Sequence, residues 1–504
     1  MSELDAYIKN LNMNYLRLKN YRCFEDTSDI PIKPLNLLVG SNSSGKSSFL
    51  KFFPLLKQSV NTRRRGIFLW TGHYVDFKDF KNTINNTLEH DVPARMEISF
   101  GFENLKAVRR MRVRDDIIKK IDISLTLQQE DEHNDQLIYL KITFPEQKII
   151  CTFDNTRNKV VIEIGGITSE SIKDSVTYDM TNALLPRLTF ARGSRIGEDS
   201  SACIERINSI AQKYGVTNYR FTRYWYPLYA NITPTKENTI NIINKIWKVD
   251  ISEEDINEIF SLQYYYNLNN IIDTININLL QFADNITYIG PLRKATERYY
   301  RFQNLAVDEI EPDGSNLAMY LYNLSQEELH DLNRWISSIF EFTVQVESDG
   351  GHVELNIEEK GKNETNLVDV GFGYTQVLPI LVNIWKNLRR KLPLIDNGNR
   401  EYIIAIEQPE LHLHPRMQAK FGIMLANVIN EAQAVNKDIR FIIETHSETL
   451  LNKIGELIAF DKIKNEDVNV VLFNAKHEEM DKEIEISKYS KDGFLVNWPI
   501  GFFS

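Results

Sequence analysis

Residues 40–47 read Gly40-Ser41-Asn42-Ser43-Ser44-Gly45-Lys46-Ser47, which matches the pattern G-x-x-x-x-G-K-[ST] without mismatch. Its two glycines let the backbone wrap tightly. The N–H groups of the loop, together with the start of a following helix, then face a chain of phosphates. Gly40, Asn42, Ser43, Ser44, Gly45, Lys46, Ser47 and Ser48 are the predicted cradle. Within it Lys46 is expected on the β- and γ-phosphates, and Ser47 is expected to offer its hydroxyl to Mg²⁺. The surroundings agree. Leu35-Asn36-Leu37-Leu38-Val39 reads as a short buried strand, and Ser47 to Val60 as a helix that Pro54 kinks or ends.

A phosphate cradle needs a second acid to hold Mg²⁺, usually at the end of a neighbouring apolar strand. Ile403-Ile404-Ala405-Ile406-Glu407 supplies one, followed by Gln408-Pro409-Glu410-Leu411-His412-Leu413-His414-Pro415. A second continuous apolar run, Phe441-Ile442-Ile443-Glu444-Thr445, leads into His446 and Ser447. Two such runs separated by a helical stretch are what a parallel sheet covered on both faces requires. Between residues 369 and 379 the chain reads Asp-Val-Gly-Phe-Gly-Tyr-Thr-Gln-Val-Leu-Pro. This Gly-x-Gly before a helix is a weak signal alone.

Together these motifs resemble the ABC-type ATPases of the SMC, RecF and OLD families. The resemblance implies an α/β fold: a P-loop head with a mixed sheet, an antiparallel β subdomain and a helical insertion. ATP and Mg²⁺ are the implied cofactors. Glu407 takes the Walker B magnesium role, and 410–415 resembles the D-loop that crosses to a second subunit. His446 resembles the switch histidine, where a neutral imidazole contacts the γ-phosphate. Gly371 and Gly373 resemble the signature that faces nucleotide bound by another subunit, so ATP joins two heads in a dimer or a higher even oligomer. The chain departs from the pattern at Gln408, where the family usually has the Glu that activates water. An amide orients water but cannot take its proton. Hydrolysis is therefore expected to be slow, with Glu410 close enough in sequence to substitute. Gln58 is a candidate Q-loop ligand of magnesium, and Arg22 a candidate neighbour of the nucleotide. Tyr288-Ile289-Gly290-Pro291-Leu292-Arg293 with Arg298-Tyr299-Tyr300, and Trp498-Pro499-Ile500-Gly501-Phe502-Phe503, extend the resemblance.

The rest of the chain divides by pattern. Residues 1–94 read as the first part of the head, 95–199 as β-rich, 200–285 as helical, 286–460 as the second part of the head, and 461–504 as a small C-terminal domain. The helical stretch is strongly aromatic, from Tyr214, Tyr219, Phe221, Tyr224, Trp225, Tyr226 and Tyr229 to Tyr264-Tyr265-Tyr266. It is either packed core or a surface for partner docking or base stacking. His412 and His414 form a His-x-His pair without a third ligand at suitable spacing, so a structural loop role is expected over zinc.

With a net charge of −10, the molecule is not a basic coat for nucleic acid. Arg63-Arg64-Arg65 and the run Arg109-Arg110-Met111-Arg112-Val113-Arg114 are either solvated faces or a local DNA contact. Cys23, Cys151 and Cys203 lie far apart and read as reduced thiols. No apolar run is long enough for a membrane span and no signal peptide is evident, so a cytoplasmic protein is expected. A transporter is excluded, since the LSGGQ signature is missing.

Three functions remain. In the first, a multimeric sensor or scaffold of an anti-phage system of Septu- or PARIS-like kind controls a separate effector such as a nuclease. In the second, the chain is a self-contained OLD-type nuclease; this needs a Toprim domain, for which the stretch after His446 is too short and lacks a DxD pair. The third is a RecF-like repair ATPase that binds DNA.

Overall fold

A computed structural model describes residues 12–60, 62, 64–85, 94–109, 112–131, 134–179, 183–191, 201–216, 226–291, 293, 297–301, 307–390, 401–473 and 484–498. The chain forms two compact units. One takes residues 1–8, 30–54 and 285–504; the other takes 9–29 and 55–284.

The first unit is an α/β P-loop unit built around a seven-stranded sheet in the order Ile286–Ile289, Glu401–Glu407, Asp438–Glu444, Leu35–Gly40, Val468–Phe473, Ile484–Tyr489, Leu495–Val496. The first five strands are mutually parallel and the last two antiparallel. Leu35–Gly40, Glu401–Glu407 and Val468–Phe473 are buried at every residue. Such continuous burial is what a parallel strand covered on both faces demands.

Helices Phe372–Arg389, Pro415–Ala434 and Glu448–Ala459 belong to this unit. They contribute Leu381, Ile384, Met424, Leu425 and Ile454 to the same core as Leu37, Ile404 and Ile443. A smaller sheet pairs Phe342–Asp349 with His352–Glu359, which also takes Tyr300–Arg301 and Thr365–Asn366. Residues from 461 onward, set apart in the sequence as a small domain, instead begin with a strand of the main sheet, Val468–Phe473, paired directly to Leu35–Gly40.

The helix expected from Ser47 to Val60 breaks earlier than Pro54. It runs as Lys46–Leu50, then Lys51 as its C-cap, then Phe52–Val60. Pro54 falls in the first turn of the second piece, where its missing N–H costs nothing.

The second unit carries the antiparallel sheet and the helical insertion. Its strands run in the order Arg187–Phe190, Val176–Asp179, Lys159–Ile164, Lys148–Asp154, Asp135–Thr143, Arg112–Gln129, Arg95–Arg109, Asn12–Tyr21, Phe24–Asp26. Alternate residues Met96, Ile98, Phe100 and Phe102 are fully buried, as are Ile121, Ile123, Leu125 and Leu127. That is the two-residue period of a sheet with one face on a core. Helix Leu268–Asp284 packs on it, with Phe282 and Phe102 rings 5.4 Å apart.

Asparagines on this helix act as surrogate strand. Asn278 accepts from the Lys106 N–H at 3.3 Å and donates to its carbonyl at 3.0 Å. Asn276 serves Leu185 and Asn269 serves Leu188 in the same two-way manner. The aromatic run is core: Tyr264, Tyr265 and Tyr266 are buried, against Phe144, Phe190 and Tyr229 respectively. Tyr219, Phe221, Tyr224 and Trp225 lie outside the described residues. Among the described residues no helix is long and apolar enough to cross a membrane.

Candidate functional site

The parallel strands of the first unit end together, and their register decides which side chains meet. Glu407 pairs in register with Glu444, and Glu444 with Leu38 on the strand that feeds the P-loop. The Thr445 N–H donates to the Leu38 carbonyl, which fixes the ends of these two strands against each other. Because that loop leaves a buried strand and turns straight into a helix, its shape is tightly constrained. A Cβ on Gly40 would lie 2.2 Å from the Phe473 carbonyl oxygen. Gly45, at φ 102°, caps helix Lys46–Leu50 in a conformation that costs other residues energy.

Lys46 is buried. Its ammonium donates to the carbonyls of Gly40 at 3.1 Å and Ser41 at 2.6 Å, leaving one of its three donors for an anion. Burial holds it below the usual lysine value, and Glu444 and Glu410 oppose that shift. Ser44 is also buried, and its Oγ has no partner. Asn42 and Ser43 are exposed, and Ser43 takes φ 64° to turn the loop.

The Ser47 hydroxyl donates to Oε2 of Glu444 at 2.6 Å. Glu407 lies one strand further out, accepts from the Tyr288 hydroxyl at 2.6 Å, and sits 3.6 Å from the Lys51 ammonium. Burial raises the Glu407 carboxyl above the ordinary value; Lys51 and Tyr288 pull it back, and Glu444 adds to the rise. Arg293 is almost wholly buried. It donates to the Glu407 backbone carbonyl at 3.2 Å and reaches Oε1 of Gln376, on the helix after the Gly371 turn, at 3.5 Å. Burial brings its guanidinium down to about 10, and its Nε has no partner.

Glu410 meets His446. Its Oε1 accepts the His446 backbone N–H at 2.6 Å, and its Oε2 is buried without a partner. Burial raises this carboxyl as well, which suits a proton acceptor. His446 is exposed at the strand end, yet desolvation of its ring and then the charge of Lys46 lower its pKa. Its imidazole is therefore neutral at neutral pH. Gln408 takes φ 44° and its N–H donates to the Glu444 carbonyl, tying the two strand ends together.

The structure brings together the P-loop, Glu407, Glu410 and His446. Gly371, at φ 102°, caps helix Phe372–Arg389, whose first turn carries no acid. A Cβ on Gly371 would meet nothing within 4 Å, and Phe372 is 72 % exposed. Bare N–H groups and the positive end of that helix thus face outward. Gly373 lies beside the His412 carbonyl. His414 caps helix Pro415–Ala434 by accepting the Arg416 N–H, and the His412 ring lies 6.0 Å from Phe372.

Gln58, expected as a magnesium ligand, makes its hydrogen bonds within the second unit. Its amide donates to the carbonyls of Leu69 and Val75 and accepts from the N–H groups of Tyr74 and Val75. Every polar atom of the side chain is committed to holding that loop. Arg22 likewise donates to the Asn82 carbonyl and lies over the Phe77 ring. Arg64 donates to the carbonyls of Ile67 and Ala183, so it is a structural residue. Arg63, Arg110 and Met111 lie outside the described residues, as do residues 499–504.

Sequence reasoning missed Glu444, Tyr288 and Arg293 as members of the site. The acid closing Phe441-Ile442-Ile443-Glu444 was the available signal.

The fit to Mg²⁺ rests on donor chemistry. Ser47 and Glu407 offer hard oxygens, Glu444 accepts the Ser47 hydroxyl behind them, and the orphaned Ser44 Oγ points to a further polar neighbour. No three His, Cys, Asp or Glu form a metal cage among the described residues. A magnesium ion held mainly by phosphates and water needs none.

Comparison with solved structures returns SMC head domains. One is the Pyrococcus furiosus head with an extended coiled coil bound to the C-terminal domain of ScpA: 10% identity, TM-score 0.37, covering 95% of this chain and 96% of that one. Another is the Thermotoga maritima head, at 11% identity and TM-score 0.34, with 95% and 99% covered. Likeness at that level carries no argument. Among curated proteins, Endonuclease GajA of Bacillus cereus (strain HuB5-5) is 27% identical over 220 residues, which are 38% of this chain and 31% of GajA. The match thus spans about a third of that relative. The model of the AAA ATPase domain family runs across residues 12–451, from the first described strand to beyond His446. The chain therefore belongs to the AAA ATPase domain family.

Proposed function

We propose that the protein is an ABC-type ATPase that binds Mg²⁺-ATP at the P-loop, pairs with a second copy across that nucleotide, and acts as the sensor or scaffold of an anti-phage system controlling a separate nuclease effector. The observation that carries the ATP reading is the convergence of Lys46, Ser47, Glu444, Glu407, Glu410 and His446 on one edge of a parallel sheet. The exposed, acid-free start of the helix after Gly371 supports the pairing, since a second phosphate chain would find a helix N-terminus there. The defence role draws its support from the partial likeness to Endonuclease GajA.

Within the site each residue has work suited to its surroundings. Lys46 and the loop N–H groups hold phosphate oxygens. Ser47 and Glu407 would hold magnesium, which would supply neutralisation of the phosphate charge. Gln408 orients water, and Glu410 takes the proton that water loses as its oxygen bonds to the γ-phosphorus and the bond to the ADP oxygen breaks. His446 donates a hydrogen bond to the γ-phosphate. ATP closes the interface between heads and hydrolysis opens it; the effector follows by differential affinity for the two states.

Fluorescent ATP-analogue titration and light scattering test this directly. Micromolar nucleotide binding lost in Lys46→Ala, with a doubled mass in ATP, is expected. A strict monomer at all nucleotide levels would sink the pairing, and unaltered affinity in Lys46→Ala would sink the site.

A further inference from the structure

The hydroxyl expected to bind magnesium is bonded not to the acid expected from the sequence but to its neighbour. Glu444 is 3% exposed. Its Oε2 accepts the Ser47 Oγ proton at 2.6 Å. Its backbone is pinned on both sides, by strand pairing to Leu38 and by the Gln408 N–H on its carbonyl. Glu407, in register beside it, is already answered by Lys51 and Tyr288. Glu444 has no close ion pair among the described residues; the charge of Lys46 acts on it at longer range, and a buried carboxylate whose near contact is a neutral hydroxyl gains from a further cation.

We propose that Glu444 is a magnesium-positioning residue: it accepts the Ser47 proton, so that the serine oxygen presents its lone pair to the metal. This inference rests on the Mg²⁺-ATP reading of the P-loop. A hydroxyl that coordinates a cation becomes a better proton donor, so the Ser47–Glu444 bond strengthens when the metal arrives. Glu444 also places a negative charge next to the ion without occupying a coordination position. Such partners behind a ligand typically set metal affinity by about 10- to 100-fold. The two acids then divide the task, with Glu407 held by Tyr288 and Lys51 and Glu444 orienting Ser47.

Mn²⁺ as the probe, with a non-hydrolysable ATP analogue and the full chain, tests this by counting free Mn²⁺ in its paramagnetic spectrum. Glu444→Gln should weaken Mn²⁺ by about 10- to 100-fold, while analogue affinity in chelator stays as in the parent. In a Ser47→Ala background the same substitution should cost about twofold or less, because the route through the hydroxyl is gone. Parental Mn²⁺ affinity in Glu444→Gln overturns the proposal, as does an equal loss in both backgrounds. If the parent protein binds no analogue at all, the ATP reading falls instead. Melting curves identify any variant that fails to fold, and Glu444→Asp, which keeps the charge, then stands in: an intermediate Mn²⁺ affinity is expected, and parental affinity counts against the role.

Discussion

The two units place their buried polar groups differently. In the antiparallel unit they are spent on architecture. Asn269 and Asn278 each complete a strand's backbone pairing, Asn276 does the same for the bend at Leu185, and Asp135 accepts from the Ile67 N–H and the Trp70 indole. In the parallel unit they accumulate unspent at one edge: Ser44 Oγ, Glu410 Oε2 and Arg293 Nε are buried without partners. A buried polar atom without a partner costs stability. Such atoms occur in the antiparallel unit too, on Asn20, Asn208, Tyr229 and Tyr265, but there they lie on different strands and helices, whereas Ser44, Arg293 and Glu410 belong to one site, where binding adds its demand to that of folding.

Substitutions can break this contrast. Lys46→Ala should lower hydrolysis about 100- to 1,000-fold while moving the melting temperature by no more than about 4 °C. A large loss of stability would erase the distinction between the units. Glu410→Gln should cost about 100-fold in hydrolysis and leave ATP affinity intact. Because burial raises this carboxyl and the ionised form is the base, the acid limb of the rate should lie above the ordinary glutamate range. Gln408→Glu should raise the rate by adding a second acceptor. If neither substitution changes turnover, proton transfer to these residues is wrong.

On the other side, Asn278→Leu should destabilise by about 1–3 kcal/mol, read by urea denaturation, because it strands the Lys106 N–H and carbonyl. ATP affinity below the melting point should be unchanged. A pH-dependent effect of similar size concerns Asp135, whose carboxyl burial raises to about 6. Its folded pKa exceeds the unfolded value, so its contribution is complete below about pH 4 and is lost as pH rises through about 6. Stability should therefore fall between pH 4 and 7 by up to about 3 kcal/mol from this group, and Asp135→Asn should flatten that slope. An unchanged slope would remove Asp135 from the account.

Much of the parallel unit was legible because its elements announce themselves locally. The P-loop string, the apolar run ending in Glu407 and the strand before His446 each carry their role within a few residues. The Ser47–Glu444 contact was not legible, since it joins residues 397 positions apart through strand register. Tyr288 and Arg293 were visible as part of a motif, yet their bonds to Glu407 come from the alignment of Ile286–Ile289 beside Glu401–Glu407. The loop bonds of Gln58 were not legible, because a glutamine past the P-loop reads the same whether its amide faces solvent or closes a loop. The strand Val468–Phe473 was overlooked for a related reason. Nothing in a six-residue apolar run says that its neighbour will be the strand at the other end of the chain.

That last pairing has a consequence for biosynthesis. Leu35–Gly40 is flanked by strands that leave the ribosome long after it, and Asn469 donates to the Pro31 carbonyl 438 residues earlier. At about 5–20 residues per second, roughly 20 to 90 s pass before the nucleotide-binding strand gains both neighbours. Throughout that interval an apolar strand waits with open edges, which invites chaperone capture and makes late ribosome stalling more damaging than early.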